Sequence, residues 1–313
     1  MFDKSQLLSW VKFLIGWPLS FISLAFIAKL IIDKSSELNL NFSDINLFYL
    51  FLGIFLFFVY YLLRSYLWRM QLEEKGYKVD FRENTYRFAF SEIKRYTPGN
   101  IWSFLSRVSQ FRELGVDKKT VGVSILADIQ LVIIGCSVAS LFSIPWLLDS
   151  PIEIRTKLAS LLPISVLAVV IFFIVTGLIY AKSLVLHSTR PISNFLLPGL
   201  GLNSKIKLSA LATITYATFG VGNYFVFLSI FNNNFQDFLI LSSFFVFSLL
   251  IGYLSFITPM GLGIREGVVT LGLSKITSLT NAGAIAIFTR IVLIVSELLF
   301  LLFVFLWKRF SKN

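Results

Sequence analysis

Two short stretches of the sequence place proline, glycine and arginine together at the edge of an apolar run. The first reads RYTPGNIW and covers residues 95–102, and the second reads TPMGLGIREG and covers residues 258–267. Proline and glycine interrupt helices, and a helix that restarts after such a break directs free N–H groups and the positive end of its dipole towards the break. Because broken helices inside membranes use these ends to bind anionic substrates, we expect a phosphate head group to bind here. The alternative is that each Pro-Gly pair is a simple turn at the membrane surface.

The candidate binding residues are the prolines and glycines that shape the two breaks and the charged side chains beside them. They are Arg95, Pro98, Gly99, Arg107, Pro259, Gly261, Gly263, Arg265 and Glu266. We expect the 261–263 loop and the helix start at Arg265 to hold the phosphate. Arg95 and Arg107 would capture the lipid from the cytoplasmic leaflet.

Three further ionisable residues, Asp128, Arg290 and Glu297, lie inside apolar runs. A charge at membrane depth is costly and usually faces protein or water, so these residues are expected to line a substrate path or to carry a coupling proton. The alternative is that they only hold helices together. From their depths along the predicted helices, we expect Arg265 to pair with Asp128 or with Glu297.

The residues that several enzyme classes need are missing from the sequence. A single cysteine, Cys136, and a single histidine, His187, argue against a zinc or haem site, since such sites usually take several of these ligands. There is no Walker A loop, no GxGxxG after a strand and no HExxH helix. We therefore expect neither an enzyme nor a bound cofactor or metal.

Long apolar segments must position these candidate residues. Hydrophobic residues make up 56% of the 313 residues, charged residues only 14%, and the mean hydropathy is +0.80. A soluble domain carries about 25% charged residues, so this composition excludes a soluble enzyme, a disordered chain and a secreted disulfide scaffold. The sequence predicts an all-α, polytopic integral membrane protein whose single transmembrane domain covers residues 1–313.

About eight hydrophobic helical segments are predicted, some of them broken or re-entrant. They cover residues 11–32, 44–64, 120–147, 159–181, 207–231, 236–257, 266–280 and 282–307. The seventh segment, at 1.5 Å per residue, is about 22 Å long and falls roughly 8 Å short of a ~30 Å hydrocarbon core. We therefore expect the glycine-rich loop before it to dip into the membrane.

The distribution of positive charge predicts the orientation. Residues 64–119 carry twelve Lys or Arg residues and the C-terminus carries three more, whereas the loops on the opposite side are poor in positive charge. The positive-inside rule then places both termini in the cytoplasm, in a multi-pass plasma-membrane protein. The net charge of +11 indicates a basic face against anionic lipid and not a nucleic-acid partner.

Residues 65–119 form the longest stretch between predicted spans. The pattern is amphipathic over 81–96, is broken at 97–100 and becomes amphipathic again over 101–111. We expect two interfacial or re-entrant helices on the cytoplasmic side rather than an independent soluble domain, since about 55 residues is close to the lower limit for one.

At the two breaks the sequence resembles the integral-membrane, flippase-type domain of lysylphosphatidylglycerol synthetases and its stand-alone relatives. The similar features are the string from Arg95 to Trp102 followed by Arg107, the string from Pro259 to Gly267, and the spacing of Arg290 and Glu297 in the last helix. The resemblance runs over nearly the whole chain. Met260 departs from it, where the family more often has glycine, and so does Asp128-Ile129-Gln130, where many relatives have a Glu-Arg pair.

The resemblance implies a membrane module that moves a lipid with a polar head group between leaflets, or that assists an enzyme building one. The synthetases carry a C-terminal soluble aminoacyl-transfer domain, and because the sequence ends at Asn313 we expect neither that domain nor lysine transfer. Stand-alone relatives are linked with cell-surface polysaccharide and lipid-linked sugar pathways.

Three functions remain open at this point. The first is a flippase for an anionic, aminoacylated or lipid-linked-sugar lipid, in cell-envelope lipid or surface polysaccharide biosynthesis. The second is an accessory membrane subunit of a lipid-modifying glycosyltransferase. The third is an intramembrane transferase. The expected partners are an anionic phospholipid or a polyprenyl-linked sugar, and possibly a glycosyltransferase.

Overall fold

The structure is a computed structural model, and it describes residues 45–96, 102–144, 147, 197–231, 237–255 and 261–310. All regular structure in these ranges is helical, which confirms the all-α prediction. The α-helices are α1 (Leu47–Glu73), α2 (Phe81–Glu92), α3 (Trp102–Arg112), α4 (Lys118–Ala139), α5 (Leu202–Ile230), α6 (Phe238–Leu254), α7 (Ile264–Leu273) and α8 (Leu279–Phe310). The predicted segments 11–32 and 159–181 lie outside the described residues.

Four of the described helices, α1, α4, α5 and α8, are long and apolar enough to cross a membrane. The shortest of them, α4, has 22 residues and is about 33 Å long, which exceeds the ~30 Å hydrocarbon core. One side of α8 exposes large apolar residues such as Leu298 and Leu302, as expected of a helix surface in contact with lipid. The fifth apolar helix, α6, has 17 residues and is about 26 Å long.

Helix α1 continues nine residues beyond its predicted end at residue 64. Arg64 carries the first positive charge after an apolar run and was expected to open the cytoplasmic stretch. The structure instead buries the Arg64 and Gln71 side chains among other helices, because the end of α1 packs against α2 and α4. The end of a hydrophobic run therefore does not mark the end of this helix.

The stretch between α1 and α4 folds as predicted, into two short helices. Asp80 caps α2 by accepting hydrogen bonds from the backbone N–H groups of Arg82 and Glu83, and α2 ends in a 3-10 turn over Ile93–Tyr96. Helix α3 packs against α2, and Trp68 of α1 lies buried beneath both with Phe88 and Phe111. This packing holds the α2–α3 hairpin against one end of the helix bundle.

Several contacts show which helix ends share that end of the bundle. The start of α5 meets the end of α1 where Ser204 Oγ donates to Glu74 over 2.5 Å. The Lys308 ammonium at the end of α8 forms an ion pair with Glu83 of α2 over 3.1 Å. The opposite end of the bundle joins the start of α1 to the end of α5, where Asn46 N–H donates to the Ser229 carbonyl over 2.8 Å.

Helix α7 is shorter than predicted, and the next helix, α8, is longer than predicted. The segment predicted over 266–280 forms a helix only from Ile264 to Leu273, and α8 then begins at Leu279. The residues between them, SKITS, are mostly polar and form a turn. A helix of ten residues is about 15 Å long, so α7 covers only half of a hydrocarbon core.

Candidate functional site

A cavity of about 170 Å³ lies between the helix bundle and the α2–α3 hairpin. Its lining combines charged side chains with apolar and aromatic ones, contributed by six of the helices and by the loop before α7. The lining residues are Tyr60, Arg64, Glu92, Arg95, Ser103, Phe104, Arg107, Asp128, Ile129, Val132, Tyr216, Leu249, Gly252, Tyr253 and Gly261.

Glu92, the last residue of α2, joins three arginines at the cavity wall. Its carboxylate lies 3.3 Å from Arg64 Nη1 and 3.2 Å from Arg95 Nη1, and it also accepts a hydrogen bond from Arg107 Nη2. The three arginines come from α1, from the 3-10 turn after α2, and from α3. One carboxylate therefore links the hairpin to the membrane-spanning bundle.

Asp128 of α4 binds two of the same arginines. Its Oδ2 atom lies 2.9 Å from Arg107 Nη1 and 3.3 Å from Arg64 Nη2. Arg107 is also held between two aromatic rings, with its guanidinium carbon 4.5 Å from the Trp68 ring centre and 4.6 Å from that of Phe88. Cation–π contacts and two ion pairs together fix this guanidinium in place.

Glu297 of α8 accepts bonds from the opposite side of the same network. Its Oε2 atom lies 2.8 Å from Arg95 Nη2 and 2.6 Å from the Tyr96 hydroxyl, and the Tyr61 hydroxyl is 3.5 Å away. The network therefore runs from α4 through the hairpin to α8. Three arginines meet three carboxylates within it, so its formal charge is balanced. These residues are Arg64, Arg95, Arg107, Glu92, Asp128 and Glu297.

The arginines keep Glu92 ionised although it is nearly buried. Burial opposes ionisation and raises the pKa of a carboxyl group, but Arg64, Arg107 and Arg95 outweigh burial and lower the Glu92 pKa to about 2. The pKa of Arg95 is shifted upwards. Burial lowers this pKa, but Glu297, Tyr96 and Glu92 outweigh burial and raise it well above the usual value. Both partners are charged at neutral pH.

A second group of charges surrounds the start of α7. Arg265 Nη2 donates to Asn223 Oδ1 of α5 over 3.0 Å, and its guanidinium carbon lies 5.1 Å from the Phe219 ring centre. Arg290 Nη1 of α8 lies 3.7 Å from Glu266 Oε1. Arg265, Glu266 and Arg290 expose only 2%, 2% and 5% of their surface. This group contains two positive charges and one negative charge.

The glycine-rich loop before α7 has a backbone that other residues rarely adopt. Gly261 and Gly263 have φ values of +65° and +84°, which glycine accepts without a steric penalty. The Glu266 carboxylate caps the helix by accepting the Gly263 N–H over 2.7 Å. The loop packs tightly, since a Cβ on Gly261 would lie 2.6 Å from the Gly252 backbone of α6. These glycines let α7 start close against the cavity wall.

The predicted ion pair of Arg265 is wrong. Among the described residues, Arg265 pairs with neither Asp128 nor Glu297, because Arg64 and Arg107 occupy the first carboxylate and Arg95 the second. The depths along the helices were similar, but depth alone does not specify the direction in which a side chain points around the bundle. Asn223 and Phe219 hold Arg265 instead.

The remaining candidate residues divide between the two charge groups. Arg95, Arg107 and Asp128 line the cavity, and Glu297 joins them through Arg95. Gly261, Gly263, Arg265, Glu266 and Arg290 form the second group, of which Gly261 also lines the cavity. Pro98, Gly99 and Pro259 lie outside the described residues.

The prediction missed Arg64 and Glu92, two central members of the first group. Each lies where an apolar or amphipathic stretch changes into a basic one, so each resembled a surface charge. An available signal was their spacing from aromatic residues. Glu92 follows Phe88 by four residues and Arg64 precedes Trp68 by four, which places each on the same helix face as a large aromatic side chain.

The lining favours binding of an amphiphile. Arg64, Arg95 and Arg107 can hold an anionic or polar head group, whereas Phe104, Val132 and Leu249 offer apolar surface to a chain. The described residues contain no cluster of three His, Cys, Asp or Glu side chains that could hold a metal ion.

Comparison with known protein families assigns the chain to one of them. The family model of the lysylphosphatidylglycerol synthase TM region matches residues 9–300 of the 313. The chain belongs to this family. The match includes both Pro-Gly breaks and every charged residue of the two groups, and it confirms the resemblance drawn from the two strings. No curated protein matches the chain. Family membership makes it a transmembrane protein with a function related to membrane lipids.

Proposed function

We propose that this protein is a lipid flippase, which moves an anionic, aminoacylated or lipid-linked-sugar lipid between the leaflets of the plasma membrane. The carrying observation is the cavity, which combines three arginines, two of them buried (Arg64 and Arg107) and one half-buried (Arg95), with apolar surface between membrane-spanning helices. A lipid requires both kinds of surface at once, because its head group must lose water while its chains stay in an apolar environment.

The position of the second charge group also supports transport. Gly252, which packs against the loop before α7, lies 14 residues into α6, about 21 Å from the start of that helix. We infer that the start of α7 lies inside a ~30 Å core, as a re-entrant loop requires. Irregular backbone is tolerated at such depth where it lines a polar cavity. We propose that the head group passes from the hairpin side of the cavity towards this loop.

We propose that this chain is not itself a catalyst and that it acts in cell-envelope lipid or surface polysaccharide biosynthesis. Among the described lining residues, the two acidic side chains, Glu92 and Asp128, are both engaged by arginines, which leaves neither as a free general base. A glycosyltransferase partner would supply or consume the lipid.

Leaflet exchange in proteoliposomes tests the proposal. Fluorescent phosphatidylglycerol, aminoacylated phosphatidylglycerol and a polyprenyl-phosphate sugar would be compared in vesicles with and without the protein. Leu249→Trp would narrow the cavity from α6, and we expect it to abolish exchange. Leu299→Trp makes the same change on the exposed side of α8 and should leave exchange unchanged. If all three lipids cross no faster than in empty vesicles, the accessory-subunit function replaces the flippase.

A further inference from the structure

The two charge groups differ in their balance, and only the second has an excess charge. The first group matches three arginines with three carboxylates. The second places two arginines, Arg265 and Arg290, beside one carboxylate, that of Glu266, and among the described residues Arg265 donates a hydrogen bond to the neutral Asn223. One positive charge is therefore uncompensated at membrane depth.

Unused hydrogen-bond donors accompany that excess charge. In the part of the chain that the structure describes, Arg265 Nη1 and the Nε and Nη2 atoms of Arg290 are buried and have no hydrogen-bond partner. A buried guanidinium that keeps unpaired N–H groups is costly, and that cost is removed when an anion accepts from them. The two guanidinium groups also repel each other electrostatically, which a negative charge between them would reverse.

The group lies directly behind the cavity wall. Gly261 and Gly252 line the cavity, and a Cβ on Gly252 would lie 3.1 Å from Cβ of Arg265. On the side of the hairpin, Arg290 interacts electrostatically with Tyr96, which itself binds Glu297 of the first group. The balanced group therefore lines the cavity, and the excess charge lies behind the part of its wall that Gly252 and Gly261 form.

We infer that Arg265 and Arg290 form the phosphate site of the transported lipid and that the site selects a phosphodiester, which carries one negative charge. This inference rests on the proposed function and deepens it. A phosphomonoester carries about −1.5 to −2 at pH 7 and would leave the site with a net negative charge. A phosphodiester, with its single negative charge, neutralises the one excess positive charge of the site. The positive end of the α7 dipole adds to the attraction.

Two classes of lipid share this chemistry. A glycerophospholipid and a polyprenyl-phosphate sugar with a single phosphate are both phosphodiesters of one negative charge, whereas phosphatidic acid is a monoester. Binding would be measured on the purified full chain in maltoside detergent at pH 8.5. The probes are dihexanoylphosphatidylglycerol, citronellyl phosphoglucose and dihexanoylphosphatidic acid. Binding of either phosphodiester supports the site, and the tighter of the two identifies the source of the phosphate.

The decisive variants change the charge of the site. Arg290→Gln should weaken binding of both phosphodiesters by at least about tenfold, because a charged hydrogen bond and the excess charge are lost together. Glu266→Gln should shift the preference towards phosphatidic acid by about tenfold, since it raises the excess to two charges. The glutamine can still accept the Gly263 N–H, so this variant keeps the helix cap. Arg309→Gln, an exposed change on the same helix as Arg290, is the control.

The results separate this inference from the proposed transport. Unchanged phosphodiester binding in Arg290→Gln, or an unchanged preference in Glu266→Gln, would overturn the phosphate site, and the second variant decides alone where the first does not fold. Leaflet exchange would be measured with the same proteins. If the protein binds phosphodiesters with the expected charge selectivity but does not accelerate leaflet exchange, the proposed transport is contradicted and the phosphate site is not. If Arg290→Gln leaves leaflet exchange unchanged, the phosphate site is contradicted and the proposed transport is not.

Discussion

Glu92 joins both helices of the hairpin to the bundle through ion pairs. It accepts from Arg64 of α1, Arg95 after α2 and Arg107 of α3, and these arginines continue to Asp128 and Glu297. Removing one partner from a buried ion pair leaves the other charges uncompensated, which is far more costly than losing a surface pair. This carboxylate therefore contributes to the position of the α2–α3 hairpin over the cavity, together with the packing around Trp68.

The Glu92 pKa makes this stabilisation dependent on pH. The folded-state pKa of about 2 lies below the usual value of about 4.5, so the contribution is complete above pH 4.5 and is lost as the pH falls towards 2. Glu92→Gln should lower the unfolding free energy at pH 7 by about 3 kcal/mol or more and flatten its dependence over that range. Thermal unfolding in detergent between pH 3 and 7 measures both effects.

A matched change on α1 provides the control. Glu73 pairs only with Arg69 among the described residues, over 2.8 Å, and its side chain is 36% exposed. Glu73→Gln should cost less than about 1 kcal/mol. A Glu92→Gln protein that unfolds with the same pH dependence as the unchanged chain would contradict the role assigned to this carboxylate.

Close helix contacts through glycine hold the membrane-spanning elements together. A Cβ on Gly220 of α5 would lie 2.3 Å from the Ser242 carbonyl oxygen of α6, and a Cβ on Gly135 of α4 would lie 2.8 Å from the Ala212 carbonyl group of α5. Since lipid offers no hydrophobic drive for helix association, close approach and van der Waals contact must supply it. The cavity lies among these three helices, so their spacing determines its width.

Gly220→Ala tests this packing. The added methyl group must push α5 and α6 apart, and we expect a loss of about 1–3 kcal/mol of stability. Gly267→Ala is the matched control on α7, where a Cβ would have open space, and it should change stability by less than about 1 kcal/mol in the favourable direction. Reversible unfolding in mixed micelles would compare them. Equal effects of the two substitutions would contradict close packing at Gly220.

Most of the elements could be predicted from the sequence, but only part of the site could. Apolar length placed α1, α4, α5 and α8, and amphipathic period placed α2 and α3, because both signals are local. The partners of Arg265 are non-local, since Asn223 is 42 residues away and nothing in either residue type specifies that contact. Helix α7 ends early, at Leu273, because the five mostly polar residues 274–278 form a turn. So short a polar stretch does not interrupt the hydrophobic pattern of the sequence, and the end of α7 could not be predicted from it.

At the scale of the whole molecule, the structure groups the helix ends as the charge pattern requires. The end of α1 and the start of α5 meet near the hairpin, and the end of α8 reaches it through Lys308 and Glu83. This basic end is predicted to be cytoplasmic, and the start of α6 lies at the other end. The orientation of the bundle stays a prediction from the charge pattern.

Labelling of introduced cysteines tests the orientation. The only native cysteine, Cys136, is buried, which gives a quiet background for a membrane-impermeant maleimide. Asp237→Cys, at the exposed start of α6, should react in intact cells, whereas Lys118→Cys, at the exposed start of α4, should react only after permeabilisation. The reverse pattern would mean that the basic end faces outwards.

The measurement closest to the central claim is lipid exchange by the unchanged protein and by Leu249→Trp at equal protein density in proteoliposomes. If the cavity is the path of a lipid head group, the unchanged protein accelerates exchange of at least one phosphodiester lipid. Narrowing the cavity from α6 then removes the acceleration, while Leu299→Trp retains it. Acceleration that survives in Leu249→Trp, in a protein shown to be folded, would contradict transport through this cavity.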